Sequence, residues 1–511
     1  MQLATSLIRA YARRRLARLS TLDPVAAQER ELLGLVSRAR NTAFGRDHRF
    51  AEIGDVAAFQ DRVPIRTYED FWRDYWSAPF PRLTDVTWPG LVRLYAITSG
   101  TTTGASKYIP LTRGQQRANS RAALEVLVHH IAARPNSQVL GGKALMLGGS
   151  SALTEHAPGI FSGDLSGIVA KNRPWWARSR YFPPPDIALL GDWDVKLSRI
   201  AALAPGEDIR SISGTPSWLV FLIQALIEAH PDRGQRAVDF FPELELLVHG
   251  AVNFGPYEAQ FADFLAGSRA ETREVYPASE GFIAVADRGN GEGLRLMVDN
   301  GLFFEFIPME ELGSPKPTRH WLANVETGVN YAIVLSSNAG LWGYLIGDTV
   351  RFVDRRPPRV LITGRTSYFL SAFGEHLIAE EVETAMAAAT REAGLMVGDY
   401  AVGALFPGEE DPLGGHLYIV EFTNAAPQAE TLATLGDHIN TTLRDLNDDY
   451  RGHSSALHAP RILSVPPGTF AGWMRKRGKL GGQNKVPRLV SDRDLFTDLK
   501  DYARQALASR G

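Results

Sequence analysis

Residues 1 to 76 carry apolar positions at helical spacing among many Arg and Glu residues. From Val92 the pattern changes to short apolar runs separated by helical stretches, which predicts an α/β layered domain. The runs 92–97, 143–148, 244–249, 272–276, 302–307, 331–336 and 359–363 read as strands. Thr215 to Ala229 reads as a helix that Thr215 can cap and whose first turn suits Pro216; its apolar residues lie nearly all round, so it is expected to be buried. At the start of the chain, Leu3, Leu7, Ala10, Arg14 and Leu16 mark the expected face of an amphipathic surface helix. Arg9 and Arg13 to Arg15 interrupt any signal-like apolar stretch, and an Arg-rich transit peptide is the other reading of this segment.

After Thr363 the texture shifts. A helix over 379–393, strands at 401–406 and 417–422, a helix with Leu432, Leu435, Ile439, Leu443 and Leu446 on one face, and a strand at 461–465 make a small α+β unit, possible as a split βαβ arrangement. The expected division is a large domain over 1–367 and a small one over 368–511, hinged near Arg365 to Tyr368.

Composition narrows the function. The chain has 511 residues, enough for two domains, with 44% hydrophobic and 22% charged residues, as in ordinary globular proteins. A net charge of −2 gives no global pull toward nucleic acid or anionic membrane, so any anion site must be local. With no cysteine, disulfides, thiol nucleophiles and thiolate metal sites are excluded, and a cytoplasmic location is expected. No apolar run reaches the length of a spanning helix.

The densest chemical signal is Tyr95 to Lys107. Thr98, Ser99, Gly100, Thr101, Thr102, Thr103 and Gly104 are all small or hydroxylated, and Lys107 follows. Such residues let backbone N–H groups approach phosphate oxygens, and a lysine supplies the charge that a polyphosphate needs. Gly100 and Gly104 are separated by three residues and Ala105 follows, so the Walker pattern is not met. The bland reading of this segment by itself is a polar turn between strands.

Four further blocks stand in order downstream: Tyr276-Pro-Ala278-Ser279-Glu280-Gly281, Tyr344-Leu-Ile-Gly-Asp348, Gly364-Arg365, and Gly481-Gly-Gln-Asn-Lys485-Val-Pro-Arg488. With the 98–107 loop the first three resemble the adenylate-forming superfamily of acyl-CoA synthetases, peptide-synthetase adenylation domains and luciferases, and the fourth resembles the tail of one branch of it. Together with Ser213-Gly-Thr-Pro-Ser-Trp218 and the helical N-terminus, the chain most resembles its Gretchen Hagen 3 branch of acyl acid amido synthetases. The resemblance implies a luciferase-like α/β fold with a small mobile C-terminal domain, and ATP and Mg²⁺ as cofactors. It implies that the 98–107 loop holds the β- and γ-phosphates, that Tyr276 stacks on adenine and that Ser279 reaches the α-phosphate. It implies that Glu280 binds Mg²⁺, that Asp348 accepts from the ribose with Arg365 nearby, and that Gly250 and Ala251 lie against adenine and the acyl pocket. Ala278 falls within the same ATP-binding block, and Lys485 stands in for the superfamily's C-terminal lysine. Ser106 replaces the usual proline before the loop lysine, and Ser367 replaces the usual Asp or Lys of the hinge.

The implied reaction joins a carboxylic acid to an amine, an amino acid being the expected one, through an acyl-adenylate, with Lys107, Glu280 and Lys485 as the catalytic groups. A thioester-forming ligase and a nucleotide binder without turnover are the alternatives. Partners are small molecules, with no nucleic acid or membrane, and the chain is expected to be a monomer. Leu124, Val128, Trp218, Phe221 and Phe254 are candidates for lining the acyl pocket, with core packing as the commoner fate of such residues. The segment Lys171 to Pro185, with Arg173, Trp175, Trp176 and Phe182, reads as a lid or as a proline-rich surface connection. Met474 to Lys485 reads as a glycine-hinged loop over phosphates, or as a basic nucleic-acid patch. Glu375 and His376 are candidates by position for the base that takes the amine proton.

Overall fold

A computed structural model describes residues 2–99, 106–148, 153–171, 175–190, 192–250, 254–366, 369–370, 377–406, 414–424, 427–447, 450–451, 454, 457–479 and 485–509. The first helix, α1 (Gln2–Thr21), packs along α2 (Arg113–Ala133), burying Ile8, Ala12 and Leu16 against Val128 and Ile131. The expected apolar face is corrected in part: Leu7 is 69% exposed and Ala10 and Arg14 are exposed too, while Leu16 keeps its place in a stripe with Ile8 and Ala12 at i, i+4 spacing. Arg15 lies on that inner side, where it pairs with Glu125 at 2.8 Å and Asp299 at 2.7 Å. Two candidates for the acyl pocket lie on α2. Val128 is core beneath α1, and Leu124 faces solvent.

An eleven-stranded mixed sheet forms the centre of the large unit. Its parallel half includes β3 (Leu246–Gly250) and β4 (Glu271–Ala278), and its antiparallel half includes β5 (Tyr344–Arg355) and β6 (Pro358–Arg365). Beside it, β1 (Leu94–Ser99) and β2 (Ser106–Pro110) form a hairpin within a four-stranded sheet. All seven expected strands are present in substance, but Ile209–Gly214, Thr154–Ala157, Ile160–Gly163 and the long β5 were not expected. In β5, bulges in the pairing with Asn330–Ser337 and with β6 carry the strand through Gly347 and Asp348. The helix α3 (Pro216–Ala229) is buried on most sides and has Pro216 in its first turn, but the Thr215 side chain makes no capping bond.

The small unit is a four-stranded sheet with a helical layer and a core on each face. Its strands are β7 (Val397–Leu405), β8 (Gly415–Phe422), β9 (Arg461–Val465) and β10 (Leu489–Val490), in the order β9-β8-β7-β10. α4 (Ala379–Glu392) and α5 (Ala429–Leu446) cover one face, while α6 (Thr469–Lys476) and α7 (Arg493–Ala508) cover the other. Every residue of β8 is buried, as a central strand between two layers requires. On α5 the stripe ends at Leu443, because Leu446 is 47% exposed. The expected hinge residues Ser367 and Tyr368 lie outside the described residues.

Candidate active site

The β1–β2 hairpin pairs Thr98 with Lys107 and Ser99 with Ser106. Gly100, Thr101, Thr102, Thr103, Gly104 and Ala105 lie outside the described residues. The Lys107 Nζ stands 3.2 Å from the Glu69 carboxylate and 5.2 Å from the centre of the Tyr68 ring. Neither partner was singled out in the sequence. Both lie in a short capped helix about forty residues upstream.

Asp348 and Arg365 are register partners on β5 and β6. The Tyr276 hydroxyl, at the end of β4, donates to Asp348 Oδ2 at 2.6 Å, and Arg365 Nε lies 3.3 Å from Asp348 Oδ1. The guanidinium also donates to the Ile346 carbonyl at 3.2 Å. Gly347, beside Asp348, has φ +85°, and an added Cβ would stand 3.2 Å from that guanidinium. Tyr276 is only 4% exposed, within the main core. Its hydroxyl thereby fixes the Asp348 carboxylate.

Ala278 ends β4, and Ser279 and Glu280 form the turn that follows. The Ser279 carbonyl accepts from the Gln115 side chain at 2.9 Å, tying the turn to α2. Glu280 is 9% exposed. Burial lifts its carboxyl above the usual range and the Asp348 charge adds to this, while its own backbone N–H, Arg365 and Lys107 pull the other way. The buried Tyr344 hydroxyl faces the same carboxyl, and burial first and that charge second push its pKa well above the ordinary range. Gly250 ends β3, where a Cβ would meet the Val275 carbonyl oxygen at 2.2 Å, so glycine is needed for the strands to pair. Ala251 lies outside the described residues.

Lys485 comes to this cleft from the small unit. Burial lowers its pKa to about 8, and the neighbouring Asp348 and Asp164 charges oppose the shift. Asp164, from the large unit, was not legible in the sequence. Lys107, Glu280, Asp348, Arg365 and Lys485 are thus electrostatically linked at one place, although Lys107 and Lys485 are far apart in the chain.

Trp218 and Phe254 belong to a second hydrophobic cluster around α3. Trp218 keeps some exposure with its ring 5.1 Å from that of Trp193, whereas Phe254 is buried and stacks on His249 at 3.8 Å. Phe182 of the expected lid is 2% exposed in the same cluster, so it is a core residue. Arg173 lies outside the described residues.

The fold is that of the adenylate-forming enzymes. The chain superposes on the solved GH3.15 acyl acid amido synthetase with a TM-score of 0.77, at 18% identity over 95% of this chain and 94% of that one. It superposes on 2-hydroxyisobutyryl-CoA ligase in its postadenylation state, with its adenylate bound, at 0.63 and 14% identity over 96% and 94%. Against the same ligase in its thioesterification state the score is 0.50. Within this class the chain belongs to the GH3 family: residues 14–230 match the family's N-terminal domain, 295–365 its central domain and 380–494 its C-terminal domain. It is 26% identical over 268 residues to the indole-3-acetic acid-amido synthetase GH3.3 of Arabidopsis thaliana, a match spanning 48% of this chain and 43% of that protein.

Proposed function

We propose that this chain is an ATP-dependent acyl acid amido synthetase, in which residues 1–367 hold ATP and the acid and 368–511 form a mobile unit that delivers Lys485. The observation that carries this reading is the meeting of Glu280, Asp348 and Arg365 with one lysine from each side, Lys107 and Lys485. In the first step a carboxylate oxygen of the acid bonds to the α-phosphorus of ATP. The bond from that phosphorus to the bridging oxygen breaks, and pyrophosphate leaves with the electron pair. Negative charge grows on phosphate oxygens, so fixed positive charge is the main catalytic device. Lys107 pairs with Thr98 across β1 and β2, beside the loop that would hold the β- and γ-phosphates, and Lys485 comes from the small unit.

Glu280 fits a magnesium ion, since it is a buried oxygen donor whose charge is opposed by desolvation and by Asp348. No group of three or more His, Asp or Glu ligands surrounds it among the described residues, so phosphate and water would complete the shell. When bound, the ion would supply further charge stabilisation to the phosphates. Asp348, oriented by Tyr276 and Arg365, would accept from the ribose hydroxyls, and Gly250 and Ser279 would line the nucleotide cleft. In the second step the amine nitrogen bonds to the acyl carbon, the acyl–phosphate C–O bond breaks, AMP leaves, and the amine proton passes to a base. Glu375 and His376, named for that role by position, lie outside the described residues. Trp218 remains a candidate for the acyl pocket.

No helix among the described residues is long and apolar enough to cross a membrane. The reading places the enzyme in the cytoplasm as a monomer acting on small molecules. The test is AMP release with a panel of acids, each offered amino acids or coenzyme A. Amino-acid-dependent AMP and amide formation is expected. Release dependent on coenzyme A alone would make the enzyme a thioester-forming ligase, and release with neither would remove the proposal.

A further inference from the structure

Arg488 lies three residues beyond Lys485 and is held by its own unit from several directions. It donates to the Asp399 carboxylate and, at 2.7 Å, to the Tyr400 carbonyl, and its guanidinium sits 4.4 Å from the centre of the Tyr400 ring. Glu383 stands 4.0 Å away, and the Val402 N–H donates to the Arg488 carbonyl at 2.8 Å. Its remaining arm crosses to the large unit and donates to the hydroxyl of Tyr257, which is 0% exposed. Tyr257 closes the turn Gly255–Tyr257, a few residues after β3 delivers Gly250 to the nucleotide cleft. Among the described residues two other ion pairs join the units. Arg475 to Asp194 is exposed on both sides, and such pairs contribute little, while Arg351 to Glu380 at 2.6 Å lies beside the connection between the units. Three residues of chain span about 10 Å at most, and Pro487 stiffens them, so fixing Arg488 confines Lys485.

We propose that the Arg488–Tyr257 bond is the latch that docks the small unit for adenylation, which makes Arg488 a positioning residue acting through Lys485; this rests on the adenylation chemistry proposed above. On this reading the latch opens before the amine attacks, because confining Lys485 serves only the first half-reaction. Loss of the latch therefore separates the two half-reactions.

The test uses Tyr257→Phe, which keeps the buried ring and removes only the hydroxyl, with Arg488→Lys, which keeps the charge but not the fork, as the second variant. In pyrophosphate exchange, kcat should fall roughly tenfold, the scale of one lost charge-assisted hydrogen bond, with the KM for ATP within about twofold. Amide formation from a supplied acyl-adenylate should be unchanged or faster. Equal losses in both half-reactions, or none in either variant, would overturn the latch. Because the chain has no cysteine, nitroxide labels at Asp232→Cys and Glu430→Cys report the spacing of the units without turnover. A distance distribution broadened by Tyr257→Phe is expected, and an unchanged one would refute the latch. Absence of exchange in the wild type with every acid would instead remove the function proposed above, leaving the distances to decide the latch.

Discussion

At the scale of single residues, the site is a balance of charge and burial. Glu280 is held above the ordinary carboxylate range by burial, and Lys107 and Arg365 oppose that shift. Replacing Lys107 or Glu280 by Ala should lower adenylation about 10²- to 10³-fold while the chain stays folded, as checked by pyrophosphate exchange and circular dichroism. Lys485 yields a pH signature. Its folded pKa is depressed to about 8, so the charged form is complete below that value and disappears as the pH rises through it. The kcat/KM for ATP, which reports the free enzyme, should therefore show an alkaline limb near pH 8 that Lys485→Arg abolishes. A limb unmoved by that substitution would place the titration elsewhere. Lys107, Glu280, Asp348 and Lys485 were legible because each lies in a short motif. Glu69, Asp164 and Tyr257 were not, because they reach the site or the latch from segments with no motif of their own. The bond from Tyr276 to Asp348 was not legible for a related reason: a motif names residues but not the hydrogen bonds between them.

At the scale of elements, period and capping carry much of the fold but not its partners. The strand at 461–465 and the helix from Pro216 stand as expected, because their apolar pattern is continuous and bounded by breakers. Thr154–Ala157 and Ile160–Gly163 are too short to declare themselves, and β5 carries glycine and aspartate at its centre. For α1 the helix was legible while its buried face was legible only in part, since Arg15 joins that face by pairing with Glu125 and Asp299. Close strand contact yields a further prediction. Gly250→Ala would drive a methyl into the Val275 carbonyl, and should cost about 1–3 kcal/mol by chemical denaturation. Full stability in that variant would show that β3 and β4 can separate without loss.

For the whole molecule, the change of texture after Thr363 marks two units with separate sheets and cores. How they face each other was not legible, because the docking bond joins residues 231 apart in the chain. Cleavage near residue 367 should leave a large fragment with its own cooperative thermal transition but without adenylation, since Lys485 is gone. Aggregation of that fragment would count against the division. The central claim is that both units bring charge to a single bound ATP. Acid-dependent exchange of labelled pyrophosphate into ATP measures this most directly. The wild type should exchange with at least one carboxylic acid, and Lys107→Ala and Lys485→Ala should each lose most of that rate. No exchange with any acid, or full exchange in both variants, would contradict it.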